Sequence, residues 1–150
     1  TAAQTAIAAG GAGLTIAKLR TAKQTFDLAS VDPSIPRHIV VGPEQITNLL
    51  ATTEVTSSDF NTVKALVQGE IDSFLGFKFT VSNRLAKSGN DRTCIAFAQD
   101  GITLAIGKDV SARIDERADK SYVTQVYYCQ SIGATRMEEA KVLGIVCQEA

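Results

Sequence analysis

Apolar and polar positions alternate along this chain with two different periods, and the period changes midway. Residues 1 to 13 are rich in Ala, Gly and Thr, carry no charge, and predict a flexible lead-in. From residue 14 the spacing turns helical. Leu19, Ala22, Phe26 and Ala29 recur at three and four residues and make one apolar stripe. Thr15 fits the N-cap, and Leu14 before it with Leu19 after it fits a hydrophobic staple. Asp32-Pro33 is expected to end this helix, because a residue before proline avoids the α region. The run Ile39, Val40, Val41 predicts a short strand buried on both faces. Pro43 then suits the first turn of a second helix whose inner side is Ile46, Leu49 and Leu50. A third helix is expected after Ser57 or Ser58, with Phe60, Val63, Leu66 and Val67 on its apolar side and Gly69 at its end.

Beyond residue 70 the period becomes two. Phe77, Phe79 and Val81 alternate with Lys78 and Thr80, which predicts a half-buried strand. Residues 83 to 92 read as a loop turning at Ser88-Gly89-Asn90-Asp91, and residues 93 to 99 as another strand. Residues 100 to 107 fit either a short helix or a strand. Residues 108 to 120, KDVSARIDERADK, are charged and expected to face solvent. Residues 121 to 133 are rich in Val, Tyr and Thr and predict a strand. A turn over 135 to 140 leads to a last strand over 141 to 148. Helices dominate the first half and strands the second, which predicts an α+β fold rather than a doubly wound sheet.

Composition narrows the function. Fifteen Lys and Arg stand against sixteen Asp and Glu, so no basic field exists to attract nucleic acid. The most basic short stretch, residues 18 to 23, reads as the solvated face of the first helix. The three cysteines, Cys94, Cys129 and Cys147, form no C-x-x-C pair. They predict free thiols rather than a disulfide framework or a zinc site. No run reaches the ~18 apolar residues that span a bilayer. The start at Thr1 suggests a processed product or a fragment of a longer protein.

Each candidate for chemistry is incomplete. His38 is the only histidine, so any Ser-His or Cys-His mechanism would have to use it. It stands beside Arg37 at a strand start, where a structural hydrogen bond explains it, and no G-x-S-x-G elbow is present. Gly10, Gly11 and Gly13 precede a helix, as in a phosphate cradle, but the G-x-G-x-x-G pattern fails and no strand leads in. The paired carboxylates Asp115-Glu116 and Glu138-Glu139 lie in polar stretches and read as surface charge. Tyr127-Tyr128 lacks the basic neighbours of a base-stacking platform, so core or interface packing is expected for it. No catalytic, cofactor or metal residue is therefore assigned, and the chain is not expected to be an enzyme.

Four stretches in order resemble the major capsid proteins of tailed bacteriophages, which share the Hong Kong phage capsid fold. They are GLTIAKLRTAKQTFDLASVD, RHIVVGPEQITNLLATTEVTSSDFNTVKALVQGEID, FLGFKFTVSNRL, and SYVTQVYYCQSIGATRMEEAKVLGIVCQ. The resemblance implies an axial domain over residues 14 to 110 and a return to the strands of the peripheral domain over 111 to 150. It also implies a structural subunit that self-assembles into hexamers and pentamers and encloses double-stranded DNA without reading its sequence. Scaffolding and portal proteins would be its other partners. Such a shell is assembled in the bacterial host cytoplasm and ends as the virion capsid, with no membrane involved. The family's N-terminal arm, extended loop and long spine helix have no counterpart in these residues. The charged stretch 108 to 120 and the loops 52 to 59 and 83 to 92 are the interface candidates. A small α+β enzyme or ligand-binding domain, with a pocket near His38, is the alternative from another class. An encapsulating nanocompartment shell protein would share the capsid fold.

Overall fold

A computed structural model describes residues 6–50 and 73–149. Its contacts divide the chain into two compact units. One holds residues 1–102 and 136–150, and the other holds residues 103–135.

The larger unit is a mixed sheet with helices. Its elements are β1 (Ala6–Ile7), α1 (Ile16–Leu28), β2 (Arg37–Val41), α2 (Pro43–Leu50), β3 (Ser73–Phe74), β4 (Phe77–Val81), β5 (Lys87–Ser88) and β6 (Asp91–Ala98). After the intervening unit, β9 (Val142–Gln148) completes it; β7 and β8 are described below. The strand order is β1-β9-β6-β2-β4-β3, with β5 pairing β6. β2 runs parallel to β4 and antiparallel to β6, and β6 runs antiparallel to β9. The final strand is hydrogen-bonded to β6 inside the same sheet, although it follows the smaller unit in the chain.

Register explains which residues form the core. Phe79, Ile39, Ala96 and Leu143 lie in one row straight across β4, β2, β6 and β9. All four are buried, and so are Phe77, Val41, Cys94, Ala98, Ile145 and Cys147 on the same face. Leu19, Ala22 and Phe26 of α1 join this cluster, as the helical stripe requires. The Phe26 and Phe77 rings sit 6.0 Å apart. The other face of β2 and β6 carries His38, Val40, Ile95 and Phe97, which are only partly covered or exposed. So β2 is not buried on both faces as expected. The apolar run Ile39-Val40-Val41 looks continuous in sequence, but only alternate members reach the core.

Helix ends show where local signals held. The Thr15 hydroxyl accepts from the Lys18 backbone N–H at 3.4 Å, as an N-cap does. The helix stops at Leu28, before the Asp32-Pro33 signal acts. Ser30 takes a left-handed φ of 58°, Ser30 N–H donates to Asp27 O, and Val31 N–H donates to Phe26 O. That pattern is a Schellman motif, and it buries Val31 against the core. In β4, Phe77 and Phe79 are buried as predicted, but Val81 lies at the strand end and is 58% exposed. The third predicted helix and the loop at 52 to 59 lie outside the described residues.

The smaller unit is a two-stranded sheet of β7 (Ile102–Arg117) and β8 (Val123–Arg136). Asp100 and Gly101 of the ambiguous stretch lie in a short 3-10 turn, and residues 102 to 117, including most of the charged stretch, form one long, exposed strand. Ser121 and Tyr122 at its tip both have left-handed φ, and Tyr122 N–H donates to Arg117 O at 3.0 Å. At ~3.3 Å per residue the 14 residues of β8 extend roughly 45 Å. Tyr127 and Tyr128 are exposed here rather than in the core.

Candidate functional site

The positions where chemistry was sought do not converge. His38 lies in a central strand, across from Phe97, and its ring stacks on that phenyl with centroids 5.5 Å apart. Ring stacking, not the expected hydrogen bond, is its observed contact. Beside it, Arg37 points to the core face. Its Nη2 donates to Asp27 Oδ1 at 2.8 Å and to Val31 O at 3.1 Å, and its guanidinium lies 5.6 Å from the centre of the Phe26 ring. Arg37 therefore ties the end of α1 to β2.

The glycine run also proves structural. A phosphate cradle presents backbone N–H groups. Here the converging groups are carbonyl oxygens: Lys18 Nζ donates to Ala12 O, Gly13 O and Val146 O at 2.7, 2.9 and 3.0 Å. The polarity is opposite to that of an anion site. Lys18 itself is only 9% exposed, so the expectation that residues 18 to 23 are a solvated face fails at this position. Its stem lies along the core and its ammonium finds carbonyls instead of water. A Cβ on Gly13 would lie 2.2 Å from Asn48 Nδ2, so a larger residue there needs the Asn48 side chain to swing aside.

Cys94 and Cys147 are buried on adjacent strands, and Cys129 is partly buried in the ribbon. A hydrogen bond with the Cys147 thiol, helped by burial, pushes the Cys94 thiol far above its ordinary range. Such a thiol is a poor nucleophile. No cluster of three metal-ligating side chains occurs among the described residues. No helix among them is long and apolar enough to cross a membrane.

The carboxylate pairs are engaged with basic side chains or left at the surface. Glu138 and Asp100 both pair with Lys141, at 2.8 and 2.6 Å, and Glu139 pairs with Arg136 at 2.7 Å. These bonds raise the Lys141 pKa, Asp100 contributing most. Asp115 lines a polar concavity of the ribbon with Lys108, Ser111, Arg113, Gln125 and Tyr127.

The main polar cluster was not foreseen. Glu149, 1% exposed, pairs with Lys87 Nζ at 2.6 Å and with the Arg92 guanidinium, and accepts from Gln45 Nε2 at 3.0 Å. Its backbone N–H donates to Asn90 O at 2.7 Å. Arg92, then Lys87, then Gln45 hold the Glu149 carboxyl down to about 2. One carboxylate thus joins α2, β5, β6 and the segment after β9. The four residues come from distant parts of the sequence, and no spacing links them. Every oxygen of the acid is committed, so the carboxylate clamps the sheet, while the buried Gln45 Oε1 has no hydrogen-bond partner among the described residues. The β8 side chains Val126, Tyr128 and Ile132 are all more than half exposed.

Comparison with solved structures places this geometry. A structure from Mycobacterium phage Che8 matches with a TM-score of 0.76 at 19% identity, covering 95% of this chain and 53% of the other. The head structure of Helicobacter pylori bacteriophage KHP40 matches with a TM-score of 0.68 at 12% identity, covering 93% and 60%. An encapsulin complex from Synechococcus elongatus PCC 7942 matches with a TM-score of 0.60 at 9% identity, covering 97% and 53%. This chain thus spans little more than half the length of those chains. No curated protein sequence matches it significantly. The α+β fold expected from the sequence is the one these structures share. A phage capsid protein family model matches residues 1–149, and the chain belongs to that family.

Proposed function

We propose that this chain is part of a structural subunit of an icosahedral phage capsid. In this reading it assembles with copies of itself into hexamers and pentamers that close around double-stranded DNA, and it performs no catalysis. The family match over residues 1–149 carries the reading. The geometry agrees with it: polar groups are spent on clamping the sheet, and large apolar side chains stand exposed on the ribbon. With a net charge of -1 the chain suits containment of DNA by a closed wall better than sequence readout. The larger unit fits an axial domain and the ribbon fits part of a peripheral domain. Scaffolding and portal proteins are the further partners, assembly takes place in the host cytoplasm, and the product resides in the virion.

Electron microscopy of the protein expressed alone at its full natural length tests this. Rings and closed shells are expected. A protein that stays strictly monomeric at assembly concentrations would overturn the proposal.

A further inference from the structure

The ribbon and the larger unit differ in what holds them together. No residue of β7 or β8 is buried. Every side chain along both strands is exposed except those of Ile102, Ser111, Cys129 and Arg136, which are partly buried. The core cluster of the described residues takes no member from residues 103–135. β7 and β8 pair with each other and, among the described residues, with no other strand, so each leaves one row of backbone groups unpaired. Burial is the main favourable term in folding, and a lone pair of strands without it is marginal in water.

The larger unit closes without the ribbon. β6 and β9 are antiparallel neighbours in register from Asp91 and Gln148 to Phe97 and Val142. Beyond that last pair, Met137 N–H donates to Gly101 O at 3.0 Å, and Lys141 Nζ meets Asp100 Oδ2 at 2.6 Å. Gly101 is buried, and a Cβ on it would lie 3.0 Å from the Lys141 carbonyl oxygen, so these two segments pass in close contact. All of these residues belong to the larger unit. The chain thus leaves and re-enters that unit at one closed point, and β6 and β9 make a hairpin whose loop is the ribbon.

We infer that the ribbon opens and closes as a unit of its own while the larger unit stays folded, and that it adds nothing to the stability of that unit. It is a conformational device: an arm whose order depends on what lies against it, because a cover must supply the free energy that burial within the ribbon does not. The inference concerns the 150-residue chain itself and does not depend on the shell reading.

Hydrogen exchange of this chain in dilute solution tests it. The slowest amides of β2 and β6, which are paired on both sides, should exchange at least about 1,000-fold slower than in an unstructured chain. Those of the ribbon should stay within about tenfold of it. Urea denaturation adds two independent probes. Helix ellipticity reports the larger unit, which holds α1 and α2, and tyrosine fluorescence reports the ribbon, which holds all three tyrosines, Tyr122, Tyr127 and Tyr128. The fluorescence should show no transition at the helix midpoint. Ile114→Pro removes a backbone donor in the middle part of β7 and should leave the helix midpoint unchanged. Ile145→Ala, on the buried face of β9, should lower it. Ribbon amides slowed as much as those of β6 would overturn the inference, and so would coincident transitions of the two probes. An Ile114→Pro chain whose midpoint falls as far as that of Ile145→Ala would overturn it as well.

Discussion

Replacing Glu149 by Gln tests the claim that one carboxylate clamps the large sheet. The side chain is 1% exposed and meets Lys87, Arg92 and Gln45. Those partners hold its carboxyl from 4.5 down to about 2, which caps the contribution to stability at roughly 3.4 kcal/mol. Lys87 is 42% exposed, so solvent screens part of the interaction, and about 1–2 kcal/mol is the expected loss. The sign follows from the direction of the shift. A lowered pKa stabilises the fold above the unfolded value of 4.5, and that stability drains away as pH falls through about 2. Urea denaturation at pH 7, 4.5, 3 and 2 measures it. The Glu149→Gln chain should be less stable at pH 7 and should lose this part of the natural chain's acid dependence between pH 4.5 and 2. Equal stability at pH 7, or an unchanged acid slope, would show that the cluster clamps nothing.

Two further substitutions probe the first helix. Lys18→Met removes three hydrogen bonds from a buried ammonium and leaves the Gly13 and Val146 carbonyls short of a donor. A loss of about 2 kcal/mol is expected in denaturant melts, against a near-zero effect for exposed Lys23→Met. A Lys18→Met chain within ~0.5 kcal/mol of the natural one would remove the structural role assigned to this lysine. Ser30→Gly relieves a left-handed φ of 58° at the helix end and should raise stability by about 0.5–1 kcal/mol. A lowered melting temperature would mean that the serine side chain holds the motif in another way.

The first helix was legible because its signals are local. Thr15 caps it and Leu19, Ala22 and Phe26 face the sheet, as the spacing required. Lys18 escaped because no spacing rule says that carbonyls from residues 12, 13 and 146 will meet at its tip. The Glu149 cluster escaped for the same reason: Gln45, Lys87, Arg92 and Glu149 become neighbours only when β5, β6 and β9 are in register.

The α+β class, the first two helices, the strands around residues 39, 79, 96 and 145, and the resemblance to phage capsid proteins were legible in the chain alone. These depend on periodicity, on local caps and on the order of motifs, all of which the chain carries in one dimension. The tertiary structure decided that β9 returns into the sheet beside β6, and which face of β2 is buried. It also showed that the charged stretch after residue 107 belongs to one strand of an exposed two-stranded ribbon. Those outcomes depend on long-range strand pairing. Register sets the face on which each side chain stands, and a partner for an exposed face lies outside what one chain's pattern encodes.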